Sequence, residues 1–279
     1  MKIRFTADST CDLNPALIER YQVEVIPLRI ELAGKYYTDG VDLSPDDIIS
    51  SVNGGSNLPK TSAINVTEYR DVFTRMLQDC DAVIHFPIGS GFSSCYQNAC
   101  LAAEGLNVFV IESANLSTGI TMLLAEAVDR ANAGMEAAQI AKEINELAAK
   151  VDVSFIVDRL DYLYKGGRCS MLTMLGANVL HIRPCIEVSG GKMVVGKKYR
   201  GTYERCLRQY LADRFRAKDQ LETKRIYITH TGLNDSALNT IREIVTSELS
   251  FDEVYEVRAG CSITSNCGEN TFGIIMMKK

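Results

Sequence analysis

The sequence predicts an α/β protein in which an N-terminal parallel sheet flanked by helices precedes a C-terminal mixed α+β domain. In the first half of the 279-residue chain, short apolar runs typical of buried strands alternate with segments of helical spacing. That alternation indicates a parallel sheet covered by helices on both faces. After residue 150 a hairpin pattern and closing strands break the alternation. We therefore expect two domains, residues 1–150 and 151–279.

The first domain contains four predicted strands and a series of predicted helices. The strands cover residues 2–6, 23–30, 81–86 and 108–111. The helices cover residues 14–21 and 66–80, a segment that starts after the N-cap Ser44, and two alanine-rich segments separated at residues 132–134. Pro27 lies inside the second strand and indicates a sheet edge or a bulge, because proline has no N–H group to donate. A small hairpin is expected over residues 31–37.

In the second domain, predicted strands and helices alternate less regularly. Its predicted elements are a strand over residues 153–157, a short helix ending in a glycine-rich turn, a helix over residues 170–180, a hairpin over 184–195, helices over 202–217 and 236–249, and strands over 225–230, 254–257 and 272–276. No internal repeat or low-complexity segment interrupts them.

Composition and charge exclude several classes of protein. Hydrophobic residues make up 46% of the chain and charged residues 23%, and no apolar run approaches the ~20 residues of a membrane span. The formal net charge of −5 disfavours a nucleic-acid-binding protein, which normally carries a basic stripe. The chain enters a strand pattern at once, without the apolar core of a signal peptide, which favours a cytoplasmic location.

The nine cysteines indicate neither a metal site nor a disulfide framework. None of them forms a Cys-x-x-Cys pair, and none lies beside a histidine at zinc-ligand spacing. In a reducing compartment, buried free thiols are the expected state. We therefore expect no metal and no cofactor.

The stretch from residue 87 to residue 96, Pro-Ile-Gly-Ser-Gly-Phe-Ser-Ser-Cys-Tyr, follows a buried strand and precedes the start of a helix. Unpaired N–H groups and the positive end of the helix dipole converge at such a turn, which favours a bound anion. An ordinary serine N-cap is the simpler explanation of this stretch taken alone. Three serines and two glycines are nevertheless more than a cap requires.

Recognised catalytic patterns are missing from the sequence. It has no Walker A or dinucleotide fingerprint, and the residues around Ser90 and Ser93 do not fit the Gly-x-Ser-x-Gly elbow. The histidines, at positions 85, 181 and 230, fit packed or surface positions better than a catalytic triad. The basic turn at residues 165–168 suits either a phosphate or simple capping of a helix C-terminus.

Hydroxyl side chains recur at the ends of predicted sheet elements. They are Ser9, Thr61, Ser62, Ser93, Ser94, Ser117 and Thr118. In a parallel α/β domain, loops after strands form the usual ligand crevice. Neutral hydroxyls without an evident base suit holding an anion rather than transforming it.

Six motifs in order resemble the signatures of the DegV family, and together they cover essentially the whole chain. They are Thr-Ala-Asp-Ser-Thr-Cys-Asp-Leu at residues 6–13, Pro-Lys-Thr-Ser at 59–62, the stretch from 89 to 99, Tyr-Leu-Tyr-Lys-Gly-Gly-Arg at 162–168, Ile-Arg-Pro at 182–184 and Lys-Tyr-Arg at 198–200. The resemblance implies a two-domain α/β DegV-like fold that binds one long-chain fatty acid, such as palmitate, between its domains. It also implies a possible partner, since some members are the acyl-binding subunit of fatty acid kinase.

The resemblance further implies the binding residues. Thr61 and Ser93 would bind the carboxylate, aided by the backbone N–H of Ser94, with Ser62 beside them. Asn266 stands where kinase-coupled members have a histidine that faces the carboxylate. The chain also has Ser-Ser-Cys-Tyr at residues 93–96 for the usual Ser-Gly-Thr-Tyr, and Thr-Ser-Ala-Ile at 61–64 for Thr-Ser-Gln-Pro.

Three basic residues in the matching motifs, Lys165, Arg168 and Arg200, are candidates for docking a kinase, although solvated surface charge explains them equally well. The predicted function is lipid binding without catalysis, for lipid transport or fatty acid metabolism. Two alternatives remain at this point. One is an enzyme that acts on an acyl or phosphorylated substrate with Ser93 as nucleophile. The other is a regulatory interaction protein with a structural lipid.

Overall fold

The computed structural model describes residues 1–167 and 182–279. The strands are β1 Ile3–Asp8, β2 Val23–Ile26, β3 Arg29–Leu32, β4 Lys35–Thr38, β5 Lys60–Ser62, β6 Ala82–Phe86, β7 Val108–Val110, β8 Val151–Ile156, β9 Ile182–Ser189, β10 Lys192–Arg200, β11 Arg225–His230, β12 Glu253–Arg258 and β13 Phe272–Met277. The α-helices are α1 Pro15–Tyr21, α2 Pro45–Asn53, α3 Val66–Met76, α4 Cys95–Ala103, α5 Thr118–Asn132, α6 Ala137–Leu147, α7 Leu160–Gly166, α8 Tyr203–Arg214, α9 Asp235–Glu248 and α10 Cys261–Cys267. The helix predicted over residues 170–180 lies outside the described residues.

The N-terminal sheet has the strand order β2-β1-β6-β7, and all of its pairings are parallel. The central strand β6 is buried along its whole length, as expected for a strand covered on both faces. Because the strands are parallel, the loops that follow β1, β2, β6 and β7 emerge at one edge of the sheet. The predicted parallel sheet is confirmed, and its carboxyl edge carries the site described below.

The C-terminal sheet is mixed, as predicted. Its strand order is β10-β9-β8-β13-β11-β12, and only β11 and β12 run parallel. The hairpin predicted around Gly190 and Gly191 is formed by β9 and β10. Helices α8 and α9 pack on this sheet and share a second hydrophobic core with it.

Helix α5 lies between the two sheets and joins them. It contacts β8, β11 and β13, and most of its residues are buried. The main hydrophobic core accordingly includes residues from both halves of the chain, for example Phe5, Ile120 and Val153. The division of the chain into residues 1–150 and 151–279 stays a prediction.

An ion cluster reinforces this junction at its edge. Arg225 on β11 is 4% exposed and donates to Glu126 at 2.9 Å and to Asp129 at 2.6 Å, both on α5. Its Nε also donates to Glu253 at 2.5 Å. A buried guanidinium that bonds three carboxylates fixes α5 against the second sheet.

Three details differ from the sequence-based expectation. The single strand predicted over residues 23–30 is wrong, because the chain turns at Pro27 and its two parts, β2 and β3, join different sheets. The second part, β3, forms the predicted small hairpin with β4, but its pairing with β5, which completes an antiparallel sheet, was not predicted. Helix α10 was not predicted either, since its seven residues lie between Gly260 and Gly268 and are mostly small or polar.

The cysteines that the structure describes are free thiols, and six of them are buried, in agreement with the prediction for those residues. None of the helices formed by residues 1–167 and 182–279 combines the length and the apolarity that crossing a lipid bilayer requires.

Candidate functional site

A narrow cavity of about 50 Å³ lies at the carboxyl edge of the parallel sheet. Its polar lining residues are Thr10, Thr61, Ser62, Ser93, Ser262 and Asn266. Its large apolar lining residues are Leu28, Ile88, Phe92, Leu116, Met193 and Ile263. None of the described lining residues carries a charge, so the cavity presents only neutral hydrogen-bonding groups on an apolar wall.

The structure brings four of the five predicted binding residues to this cavity. Thr61 and Ser62 lie on β5, where Thr61 pairs with Ile30. Ser93 lies just before α4, and Asn266 lies on α10. The fifth, Ser94, is exposed at the N-cap position of α4 and does not belong to the cavity lining.

Ser93, and not Ser94, bonds the first turn of α4. The Ser94 side chain makes no capping hydrogen bond, whereas the backbone N–H of Cys95 donates to Ser93 Oγ at 3.3 Å. The Ser93 hydroxyl in turn donates to Cys95 Sγ at 3.2 Å. A thiol is a weak acceptor, so the Ser93 hydrogen is available to a stronger acceptor such as a carboxylate.

Buried polar groups lie beneath this turn. The Tyr69 hydroxyl donates to Asp8 Oδ1 at 2.6 Å. Asp8 also accepts from the Ile88 N–H at 3.0 Å. Burial raises the pKa of the Cys95 thiol to about 11, so this group stays a neutral thiol at pH 7. The two partners of Ser93 Oγ are therefore a thiol and an amide, and neither is a general base.

The described histidines occupy packed positions, as predicted. His85 is fully buried, and its Nδ1 bonds Thr6 Oγ1 at 2.8 Å. His230 accepts from the N–H groups of Gly232 and Leu233 and so fixes a turn. His181 lies outside the described residues.

The loop over residues 89–92 is covered by the hairpin tip of the second sheet. The Gly89 N–H donates to the Asn115 carbonyl oxygen at 2.9 Å, which ties this loop to the loop after β7. A Cβ atom placed on Gly91 would lie 2.0 Å from the carbonyl oxygen of Gly191. Glycine is thus required at position 91 by close backbone contact. Met193, two residues beyond the tip, lines the cavity.

Helix α10 forms the opposite wall and is held at its N-terminus by two aspartates from the first half of the chain. Asp12 accepts from the Gly260 N–H at 2.7 Å. Asp39 accepts from the N–H groups of Cys261 at 3.0 Å and Ser262 at 3.2 Å. Carboxyl oxygens at a helix N-terminus accept from backbone N–H groups that have no partner within the helix. Burial raises the pKa of Asp12 to about 8.

Asn266 projects from the next turn of α10. Its Nδ2 donates to the carbonyl oxygen of Ser262 at 2.8 Å, which leaves the second amide hydrogen for another acceptor. Its amide oxygen lies against Gly166, at the end of α7. This places the neutral amide between the cavity and the turn that carries Lys165.

A second cavity, of about 30 Å³, adjoins the first and shares three of its lining residues, Leu116, Ile263 and Cys267. Strands of the C-terminal sheet provide further walls, including Val153 and Ile275. The two cavities therefore lie side by side, the first at the sheet edge and the second between the two sheets.

Three hydroxyls that the sequence suggested have structural partners instead. Ser9 Oγ donates to Asp39 at 2.8 Å, Ser117 Oγ donates to Asp12 at 2.5 Å, and Thr118 bonds Thr229. Conversely, the cavity residues Thr10 and Ser262 were missed. Thr10 follows Ser9 in the same polar turn, and nothing in the sequence separates the roles of these neighbours.

Of the three candidate docking residues, two are described. Lys165 is exposed in the last turn of α7, and Arg200 is exposed at the end of β10. Arg168 lies outside the described residues. The kinase-docking role of these residues stays a prediction.

Comparison with known proteins finds relatives that span the whole chain. The model of the family described as "Uncharacterised protein, DegV family" matches residues 2–279. A DegV domain-containing protein of Clostridium acetobutylicum is 29% identical over 284 residues, which cover 100% of this chain and 99% of that protein. Among solved structures, the fatty-acid-binding DegV family protein from Thermus thermophilus superimposes with a TM-score of 0.91 at 27% identity, with full coverage of both chains. The fatty acid binding DegV family protein from Streptococcus agalactiae gives a TM-score of 0.87 at 25% identity, covering 100% of this chain and 99% of that one.

Proposed function

Because the chain belongs to the DegV family, we propose that it binds one long-chain fatty acid, such as palmitate, between its two sheets. The carboxylate bonds Thr61 and Ser93 at the sheet edge, and the acyl chain extends from the first cavity into the second. The observation that carries this proposal is the junction of two cavities, one edged by uncharged donors and the other walled by apolar side chains.

The energetics favour such a ligand. Burying about 14 methylene groups at ~0.8 kcal/mol each supplies on the order of 10 kcal/mol. Desolvating a carboxylate costs several kcal/mol unless fixed donors replace its water. Suitable donors are present at the sheet edge. They are the hydroxyls of Thr61, Ser93 and Ser62, the Asn266 amide, and the N-terminus of α4 with the Ser94 N–H.

The narrow cavities imply that lipid entry separates their walls. The covering hairpin of β9 and β10 is the element that has to move, because its tip rests on Gly91 and its Met193 lines the cavity. Once the hairpin closes, the acyl chain is excluded from water.

We assign the protein a carrier role and no reaction of its own, consistent with the neutral partners of Ser93. In this role it presents the carboxylate to a separate fatty acid kinase, with Arg200, Lys165 and Arg168 as the docking cations. Asn266, in place of a histidine, offers a neutral donor beside the carboxylate. The Arg200→Ala variant should then slow acyl phosphate formation by a cognate kinase and leave palmitate affinity unchanged. A parallel loss of palmitate binding would contradict the docking role.

Organic extraction of the purified protein, followed by mass spectrometry, tests the proposed function. We expect close to one long-chain fatty acid per protein chain. An empty protein that also fails to take up palmitate would contradict lipid binding, and hydrolysis of an acyl ester by the protein would contradict the carrier role.

A further inference from the structure

Two buried hydroxyls line the first cavity and have no hydrogen-bond partner in the part of the chain that the structure describes. Thr10 and Ser262 are each 2% exposed, and both line this cavity. Within the described residues, neither Thr10 Oγ1 nor Ser262 Oγ has a hydrogen-bond partner. Ser265 on the same helix shares this property but does not line the cavity.

Such hydroxyls are unusual, because buried polar side chains are almost always hydrogen-bonded and an unbonded one costs free energy. Their neighbours obey this rule. Ser9 donates to Asp39, Ser117 donates to Asp12, and Thr121 donates to the carbonyl oxygen of Cys11. The two unpartnered hydroxyls therefore mark the cavity as a place where a polar ligand atom is expected.

The cavity that Thr10 and Ser262 line indicates where along an acyl chain the polar ligand atom would lie. Both belong to the first cavity, with Thr61 and Ser93, and neither belongs to the second. On α10, Ser262 precedes Asn266 by one helical turn, so their Cβ atoms are about 5–6 Å apart. An oxygen that meets Ser262 thus lies within a few carbons of the carboxylate.

We propose that Thr10 and Ser262 form a subsite for a hydroxyl group near the carboxyl end of the acyl chain, and that the preferred ligand is a fatty acid hydroxylated at C2 or C3. The inference rests on the proposed function, because it takes the carboxylate to lie on Thr61 and Ser93. A hydroxyl is the group that fits, since it donates one hydrogen bond and accepts another and so satisfies both side chains at once. A plain methylene at this point would leave both hydroxyls unbonded.

Affinity ratios provide the test. Palmitate, 2-hydroxypalmitate, 3-hydroxypalmitate and 16-hydroxypalmitate are each titrated into delipidated wild-type protein and into the Thr10→Val and Ser262→Ala variants. In the wild type we expect the 2- or 3-hydroxy acid to bind about two- to tenfold more tightly than palmitate. The 16-hydroxy acid, whose hydroxyl lies in the tail, should show no gain. In both variants the ratio of hydroxypalmitate to palmitate affinity should fall towards one.

Equal affinities of the wild type for palmitate and for both near-carboxyl hydroxy acids would overturn the subsite. So would an unchanged ratio in both variants, which would assign the two hydroxyls to the carboxylate or to an internal water. Failure of palmitate itself to bind the wild type would instead contradict the proposed function.

Discussion

If the hairpin of β9 and β10 closes over the cavity, the Gly91→Ala variant should release its lipid faster by an amount that the structure allows us to estimate. The new Cβ would lie 2.0 Å from the carbonyl oxygen of Gly191, whereas Cβ atoms essentially never approach within 3.0 Å of a heavy atom beyond their own and the adjacent residues. The hairpin tip must therefore retreat by about 1 Å, and overpacking of this kind typically costs ~1–3 kcal/mol. If the closed hairpin retains the lipid, that cost should speed dissociation about five- to a hundredfold.

The assay is stopped-flow release of a fluorescent fatty acid from the loaded protein, with excess palmitate as competitor. Ser90→Ala, one residue away in the same exposed loop, is the matched control, because it adds no atom towards Gly191. Circular dichroism and the melting temperature of the lipid-free proteins check that both variants fold. A folded Gly91→Ala protein that releases lipid at the wild-type rate would refute the role of the hairpin as a cover.

Three further predictions address charge and titration. The Asn266→His variant should bind palmitate more tightly below pH ~6.5, where the imidazole is protonated, whereas the affinity of the wild type should not change with pH. Titrations over a pH series test this, and identical profiles for the two proteins would show that residue 266 does not contact the carboxylate. Because burial raises the pKa of Asp12 to about 8, the folded state keeps a proton that the unfolded state releases, so stability should fall as the pH rises from about 4 to about 8. Asp12→Asn should flatten the dependence of the melting temperature on pH over this range. An unaltered slope would mean that other groups cause the pH dependence. Arg225→Met removes the hydrogen bonds of this guanidinium to Glu126, Asp129 and Glu253, which keep Arg130, Lys224 and Arg20 as partners. The free energy of unfolding in urea should fall by ~1.5–3 kcal/mol, and a loss below about 0.5 kcal/mol would contradict a stabilising role of Arg225.

Much of the fold was predictable because its signals are local. The alternation of apolar runs and helical spacing identified the parallel sheet, and Ser44 with Pro45 marked the start of α2, where the structure shows a capping box closed by Asp47. The glycines at positions 190 and 191 likewise marked the hairpin of β9 and β10. Each of these features depends on residues only a few positions apart.

The elements that were missed depend on distant partners. Strand β5 has no apolar alternation and exists because it pairs with β3. Helix α10 is too short to be stable alone and is held by the carboxyl groups of Asp12 and Asp39, more than 200 residues earlier in the chain. No window of sequence around either segment contains that information.

The candidate site likewise contains residues that could be predicted from the sequence and residues that could not. Thr61, Ser62, Ser93 and Asn266 could be selected from the sequence because they lie in motifs that resemble a known family, and they line one cavity. Thr10 and Ser262 could not, because their distinguishing property is burial without a partner. The bonding of Ser9, Ser117 and Thr118 to other side chains is also visible only in three dimensions.

The central claim is that Thr61 and Ser93 hold a fatty acid carboxylate, and the most direct measurement compares palmitate with hexadecanol, which has the same chain and no charge. Both ligands are titrated into the wild type and into the Ser93→Ala and Thr61→Val variants. A hydrogen bond to a charged group is worth ~1.5–3 kcal/mol, and one between neutral groups ~0.5–1.5 kcal/mol. We therefore predict that each variant lowers palmitate affinity about ten- to a hundredfold and hexadecanol affinity by a clearly smaller factor. Unchanged palmitate affinity in both variants, or an equal loss for the two ligands, would contradict this placement of the carboxylate.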